Sequence, residues 1–322
     1  MSVHLTVLRL NSSTFPVTQE EKRIYQDACF HLITSELWAT PDLADYPDIV
    51  ALCIVSAKVT QAMIDYLPQL RVISRFGSGT DNIDLSAASR RQITVTNVPF
   101  FCLSEVADHT MALLLGIARK LLPMDRATRS GQWFARMQQT THRIAGRQLG
   151  LIGFGRIAQE VAKRAVPFGL EVVAFDHHMD VEAARQIGVR PVELEQLLST
   201  SHFLSLHVPL TSETRHLLSR RHFLMMRPDA ILINTARGAV VDEQALIEAL
   251  QQERIAGAAL DVYEGLDMFG PLPDSIDHPL FHLPNVLLTP HSAGCSQEAL
   301  AELMRTGAQQ AVDAALGRGV MR

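Results

Sequence analysis

Leu149-Gly150-Leu151-Ile152-Gly153-Phe154-Gly155-Arg156-Ile157-Ala158, with Asp176 closing the next apolar run, is the stretch that decides the fold of this 322-residue chain. An apolar strand runs into a glycine turn and then into a helix. Gly153 permits the tight turn, Gly155 lets a phosphate approach the backbone, and Ala158 lets helix and strand pack closely. The run Leu170-Glu171-Val172-Val173-Ala174-Phe175-Asp176 reads as the second strand. Its acid falls near the spacing, roughly 20 residues on, at which a carboxylate meets a ribose diol. The pattern is that of a dinucleotide-binding unit. Asp176 also selects between dinucleotides, because a carboxylate accepts hydrogen bonds from a free diol and repels a 2′-phosphate. His177 and His178 follow it with no adjacent Arg or Lys. NAD is therefore expected rather than NADP.

The position of the motif matters as much as its content, since it falls mid-chain. Short apolar runs alternate with helix-length amphipathic stretches on both sides of it, the pattern of a parallel α/β sheet. Before it, strands are expected at Leu5–Leu10, Ile49–Val55, Leu70–Ser74 and Ile93–Thr96, with helices at Glu20–Ala28 and Thr60–Tyr66. A long helix is expected from Glu105 to Leu121, stopped by Pro123. From Leu149 a second series begins, with strands at Leu149–Ile152, Glu171–Phe175, Phe203–Leu206, Ala230–Asn234, Gly257–Leu260 and Val286–Leu288, then a helix over Gln297–Ala315. If the last helix returns to the first unit, one domain is inserted within another, with ligands outside the carboxyl ends of the strands. The expected fold is α/β, with two Rossmann-like domains: a dinucleotide-binding domain inserted into a flavodoxin-like substrate domain. The expected boundaries are 1–98 and 291–322 for the substrate domain and 99–290 for the NAD-binding domain.

Apolar residues make up 47% of the chain and charged residues 20%, the composition of a soluble globular protein long enough for two domains. A formal net charge of −5 gives no reason to expect nucleic acid or an anionic membrane as partner. Four scattered cysteines (Cys29, Cys53, Cys102, Cys295) suit a reducing compartment and argue against a disulfide framework or a zinc site. The segment Met1–Leu8 lacks a basic region followed by a long apolar core, so no secretory leader is expected, and a cytoplasmic location is.

Three chemically capable residues end separate strands of the second series. Ala230–Asn234 leads into Thr235-Ala236-Arg237-Gly238, Gly257–Leu260 into Asp261-Val262-Tyr263, and Val286–Leu288 into Thr289-Pro290-His291-Ser292-Ala293-Gly294. An Arg just past a buried strand is well placed to grip a carboxylate in a two-pronged fashion. A His in a chain holding 13 of them is ordinarily surface or core filler, but an Arg, an Asp and a His converging on one sheet edge are not.

With these segments the chain resembles the D-isomer-specific 2-hydroxyacid dehydrogenases over essentially its whole length. Further matching segments are Arg75-Phe76-Gly77-Ser78-Gly79-Thr80-Asp81-Asn82-Ile83-Asp84, Ser104-Glu105-Val106-Ala107-Asp108-His109-Thr110, Gly131-Gln132-Trp133 and His207-Val208-Pro209. The Asp108–Thr110 and His291–Gly294 stretches look closest to phosphoglycerate-dehydrogenase-like and C-terminal-binding-protein-like branches. The resemblance implies an NAD-dependent oxidoreductase moving a hydride between nicotinamide and a 2-hydroxy or 2-oxo acid. Arg237 would bind the substrate carboxylate and carbonyl, His291 would be the general acid/base, and the Ser78 and Gly79 amides would hold the carboxylate's other side. Thr110, Gly153, Phe154, Gly155, Arg156, Ile157, Asp176, His207, Pro209, Thr214, Thr235, Ala236, Asp261, Ala293 and Gly294 would surround the cofactor. A homodimer is implied as well.

One position departs from the family pattern. Its usual Glu, which bonds the histidine and raises its pKa, falls at Leu266 in a gapless count from Asp261. A leucine accepts no hydrogen bond, and the nearby acids are Glu264 and Asp267. The departure sets an active reductase against a binding module that senses NAD(H), as in C-terminal-binding-protein relatives. Phe100, Phe101, Met268 and Phe269 hint at an apolar substrate pocket.

Overall fold

The computed structural model describes residues 5–11, 15–36, 48–134, 140–264, 266 and 276–319. In chain order the elements begin β1 (Leu5–Leu10), α1 (Gln19–Asp27), β2 (Phe30–Ser35), β3 (Ile49–Ile54), α2 (Gln61–Tyr66), β4 (Val72–Arg75), α3 (Leu85–Arg90), β5 (Thr94–Asn97), α4 (Leu103–Ala118) and α5 (Leu121–Arg129). They continue with β6 (Gln148–Ile152), α6 (Arg156–Ala165), β7 (Glu171–Phe175), α7 (Val181–Gln186), β8 (Val189–Pro191), α8 (Leu194–Thr200) and β9 (Phe203–Leu206). The last are α9 (Arg220–Met225), β10 (Ile231–Asn234), α10 (Glu243–Gln251), β11 (Gly257–Leu260), β12 (Val286–Leu288) and α11 (Gln297–Ala315). Among the described residues the chain divides into two compact units, one of residues up to Cys102 and from Cys295 on, the other from Leu103 to Gly294. These divisions fall a few residues beyond 98/99 and 290/291.

The first unit is a five-stranded parallel sheet in the order β2-β1-β3-β4-β5, the flavodoxin order. Its central strand β3, Ile-Val-Ala-Leu-Cys-Ile, is buried throughout, because helices cover both faces. Tyr25 of α1 and Leu303, Met304, Ala308 and Ala311 of α11 pack one face, and Met63, Ile64, Ala87 and Ala88 of α2 and α3 the other. The return of α11 to this sheet is fixed at Gly307: a Cβ there would lie 2.4 Å from the Phe76 ring, and its carbonyl accepts the Ser74 hydroxyl at 2.9 Å.

The second unit is a seven-stranded parallel sheet, β12-β11-β10-β9-β6-β7-β8. Counted from β6 this is the Rossmann order with one strand added at the edge. On one face α4 and α6 bury Leu113, Leu114, Val161 and Ala162; on the other α8, α9 and α10 bury Leu197, Phe223 and Leu246.

Helix α4 differs from expectation. It ends at Ala118, Lys120 takes a left-handed backbone (φ 52°), and a second helix, α5, starts at Leu121 and runs through Pro123. In the first turn of a helix the missing proline N–H costs nothing, so Pro123 opens a helix instead of stopping one.

Candidate active site

The glycine turn after β6 is built for a ligand. Gly153 has φ +87°, and a Cβ on it would lie 2.6 Å from the His207 carbonyl oxygen, so only glycine fits where the ends of β6 and β9 meet. Gly155 caps α6 without any side-chain hydrogen bond, and a Cβ on it would meet nothing within 4 Å. The first turn of α6, Arg156 and Ile157, thus begins beside open space at a helix N-terminus, the arrangement a pyrophosphate requires. Ala158 is fully buried against the sheet. Phe154 lies in the core, and its N–H donates to Asp176 Oδ2 at 2.7 Å; the His178 N–H donates to Oδ1 at 2.8 Å. Two backbone donors fix the carboxylate and leave lone pairs for a diol. These residues fit a dinucleotide.

Other expected cofactor residues make hydrogen bonds within the protein. His207 bonds Ser205 at 2.9 Å, and burial pushes its pKa down to about 4, so its ring is neutral at neutral pH. The Thr214 hydroxyl donates to the Pro209 carbonyl at 2.5 Å and closes that turn. Thr110 has no exposed surface; its hydroxyl donates to the Val106 carbonyl at 2.7 Å and meets Thr235 Oγ1 at 3.0 Å. In this conformation it supports Thr235 instead of offering a surface of its own.

The strand ends bearing Arg237, Asp261 and His291 are neighbours, because β10, β11 and β12 pair in register with Asn234, Leu260 and Leu288 side by side. After β10, the buried Asn234 side chain accepts the Ala236 N–H (3.0 Å) and donates to the Arg237 carbonyl (2.9 Å), fixing the loop. Gly238 lets that loop close on Tyr263, whose carbonyl carbon would lie 2.0 Å from a Cβ. Arg237 is half-buried, with Nη1 on the Ala236 carbonyl at 2.8 Å. After β12, His291 takes a left-handed backbone (φ 53°) and its N–H donates to the Asp261 carbonyl at 2.9 Å. The Asp261 carboxylate, 1% exposed, accepts the Thr289 hydroxyl (2.6 Å) and the Ser292 N–H (2.9 Å) on Oδ1 and the Ala293 N–H (2.9 Å) on Oδ2. Asp261 is thus the organiser of the histidine turn, with Gly294 just beyond it. The Tyr263 hydroxyl adds a bond to the Thr289 carbonyl at 2.8 Å, and burial pushes that phenol up. Asn234, Thr289 and Tyr263 thus join the expected residues at these strand ends, and of the three Asn234 carries a sequence signal, a polar residue closing an apolar strand.

In the first unit, β4 leads through buried Phe76 to Gly77 (φ +152°), whose carbonyl accepts the Val98 N–H at 3.0 Å. The Asn97 side chain donates to the Ser78 carbonyl at 2.6 Å. Among the described residues neither the Ser78 nor the Gly79 N–H donates a hydrogen bond, so both remain available to an acceptor. Of the acids near Leu266, Glu264 is engaged by His216 (2.7 and 2.8 Å) and Arg215 (3.1 Å). Asp267, Met268 and Phe269 lie outside the described residues; Leu266 is half-buried.

The family model described as "D-isomer specific 2-hydroxyacid dehydrogenase, NAD binding domain" matches residues 111–293. The glyoxylate reductase of Thermococcus litoralis is 40% identical over 286 residues, covering 84% of each chain. The chain belongs to the D-isomer-specific 2-hydroxyacid dehydrogenases. The D-3-phosphoglycerate dehydrogenase of Archaeoglobus fulgidus is 38% identical over 276 residues, 85% of this dehydrogenase and 51% of that longer chain. The solved D-lactate dehydrogenase of Aquifex aeolicus, in complex with NAD and lactic acid, superposes with a TM-score of 0.86 at 28% identity, covering 97% and 96% of the two chains. The dehydrogenase is an NAD-dependent oxidoreductase of D-2-hydroxy acids, and these relatives favour the enzyme over the NAD(H)-sensing binding module. No helix among the described residues is long and apolar enough to cross a membrane.

Proposed function

We propose that this dehydrogenase reduces a small 2-oxo acid of the glyoxylate class, with Arg237 binding the substrate carboxylate and carbonyl and His291 as general acid/base. The observation that carries the reading is the Asp261 hub, which holds the His291 turn one strand from β11 while Asn234 holds the Arg237 loop on the strand to the other side. The similarity to relatives named glyoxylate reductase supports the substrate class. The unit of β1–β5 and α11 serves the substrate and the unit of β6–β12 the cofactor.

When bound, NADH supplies the hydride for C2 of the oxo acid. Arg237 provides a fixed guanidinium for the charge that grows on the carbonyl oxygen, and its planar fork suits a carboxylate–carbonyl edge. Protonated His291 gives its proton to that oxygen, and in the oxidative direction the neutral ring takes it back. The Ser78 and Gly79 amides bind the carboxylate. Asp176 holds the adenosine ribose, and Gly155 to Ile157 the pyrophosphate. The exposed apolar side chains Leu121, Leu122, Trp133 and Phe134 suit burial against a second copy, and the scattered cysteines a cytoplasmic setting.

Following NADH absorbance with glyoxylate, hydroxypyruvate, pyruvate, phenylpyruvate and 2-oxoglutarate tests the reading. Glyoxylate is expected to give the highest kcat/KM, with His291→Asn and Arg237→Met each losing roughly 100-fold or more. NADH binding without turnover of any of the five overturns it.

A further inference from the structure

One side chain outside the residues assigned above is wired to the histidine turn. His109 of α4, 23% exposed, places Nε2 at 3.0 Å from the Thr289 hydroxyl and 3.6 Å from Asp261 Oδ1. The hydrogen-bond directions follow from the groups themselves. The Asp261 carboxylate accepts from Ser292 and Ala293, and the Thr289 proton goes to its Oδ1. A hydroxyl has one proton, so toward His109 Thr289 Oγ1 acts as an acceptor and His109 Nε2 carries the hydrogen.

The chain His109 Nε2–H to Thr289 O–H to Asp261 ends on the group that organises three consecutive residues. The Asp261 carbonyl takes the His291 N–H, and its carboxylate takes those of Ser292 and Ala293. His291 itself sits in a left-handed conformation that a side-chain-bearing residue keeps only when its surroundings hold it. Helix α4 packs across β10, β11 and β12, so the tether starts from a rigid element of the same unit. We propose that His109 is a positioning residue for His291, orienting the Thr289 hydroxyl on Asp261 and thereby fixing the 289–293 turn. The proposal rests on the reading of His291 as acid/base. A misplaced proton donor costs turnover more than cofactor affinity, because alignment at the reacting atom matters only in the chemical step.

The test uses the full chain with NADH and the best 2-oxo acid of the panel. His109→Phe, which keeps an aromatic ring and removes both ring nitrogens, and Thr289→Val, which keeps the branched shape and removes the hydroxyl, are each expected to lower kcat about tenfold or more. The KM for NADH stays within about twofold. His109→Gln, whose amide N–H can occupy the Nε2 position, restores most of kcat, and the double variant is no worse than the poorer single. A readout independent of turnover accompanies these. In a long-range 15N–1H spectrum at mildly alkaline pH, His109 is expected as the Nε2–H tautomer, and His109→Phe shifts the His291 ring signals. An Nδ1–H tautomer, losses that multiply in the double variant, or a Gln variant as poor as Phe overturns the proposal. Should His109→Phe not fold, the Gln variant, Thr289→Val and the tautomer still decide it. If His291→Asn keeps wild-type turnover, the acid/base reading itself falls; if His291→Asn is inactive and His109→Phe is unimpaired, only the positioning role does.

Discussion

Both units are parallel sheets whose strand order reverses beside their first strand, and the two reversal points are finished in opposite ways. In doubly wound sheets this is where a crevice opens at the carboxyl ends of the strands. Between β1 and β3 the chain fills that place with its own side chains. Asn11, in a left-handed conformation (φ 62°), accepts the Ser56 and Ala57 N–H groups on Oδ1 at 3.1 and 3.0 Å. Arg9, with no exposed surface, bonds Glu21 at 3.0 Å, the Phe15 carbonyl at 3.3 Å and Met304 Sδ at 3.5 Å, and lies 4.8 Å from the Phe76 ring. Between β6 and β9 the same place holds Gly153 and Gly155, and a Cβ on the second would meet nothing within 4 Å. One topology yields a crevice plugged by side chains and one lined by glycines, so the dinucleotide site belongs to the glycines and not to the fold.

The comparison can be broken at either point. The largest effect is expected from Gly153→Ala, which sets a Cβ 2.6 Å from the His207 carbonyl oxygen on a backbone at φ +87°. Backbone cannot yield there as a side-chain tip can, and the cost should be on the order of 5 kcal/mol or more. Thermal melting and NADH fluorescence check it; a variant that melts near wild type and binds NADH would show that the β6–β9 junction is looser than described. Next comes Arg9→Met, which leaves Glu21 buried without its partner. Burial already pushes the Glu21 carboxyl up against the pull of Arg9, and breaking such a pair costs about 3 kcal/mol. Urea unfolding should show the loss, with most of it recovered in Arg9→Met/Glu21→Leu. A single variant as stable as wild type would mean that the plug contributes little.

The two points were not equally legible in the sequence. Gly153, Gly155, Ala158 and Asp176 follow a local pattern, and the limits of β7, β9, β11, β12 and α11 stand where the apolar periodicity places them. The plug has no such signature: Arg9 is a single charged residue in an apolar run, and its side-chain partners Glu21 and Met304 come from α1 and α11. The missed elements are short or at sheet edges. β2 carries only one buried residue at its start and then alternates weakly, β8 has three residues ending in Pro191, and α3 has six behind its Asp84 cap. In the site, Arg237, Asp261 and His291 were legible because each follows a strand. Thr289 was hidden because its partners are Asp261, 28 residues earlier, and His109, 180 residues earlier, and pairing at such distances leaves no periodic trace.

The smallest effect on stability is the sharpest test of the glycine-lined crevice. Gly155 sits at φ −70° and ψ −174°, backbone that any residue adopts, at the N-cap of α6 with no side-chain cap. In Gly155→Ser the Cβ meets nothing within 4 Å and the hydroxyl supplies a preferred capping oxygen for the first turn, so stability should hold or rise by a few tenths of a kcal/mol. The same hydroxyl takes the donors and the space assigned to the pyrophosphate, and NADH affinity should fall by about tenfold or more. A gain in stability coupled to a loss of binding separates the ligand's demand from the fold's. If Gly155→Ser binds NADH like wild type, the open face of α6 is not the cofactor's approach, and the contrast with the Arg9 plug loses its functional meaning.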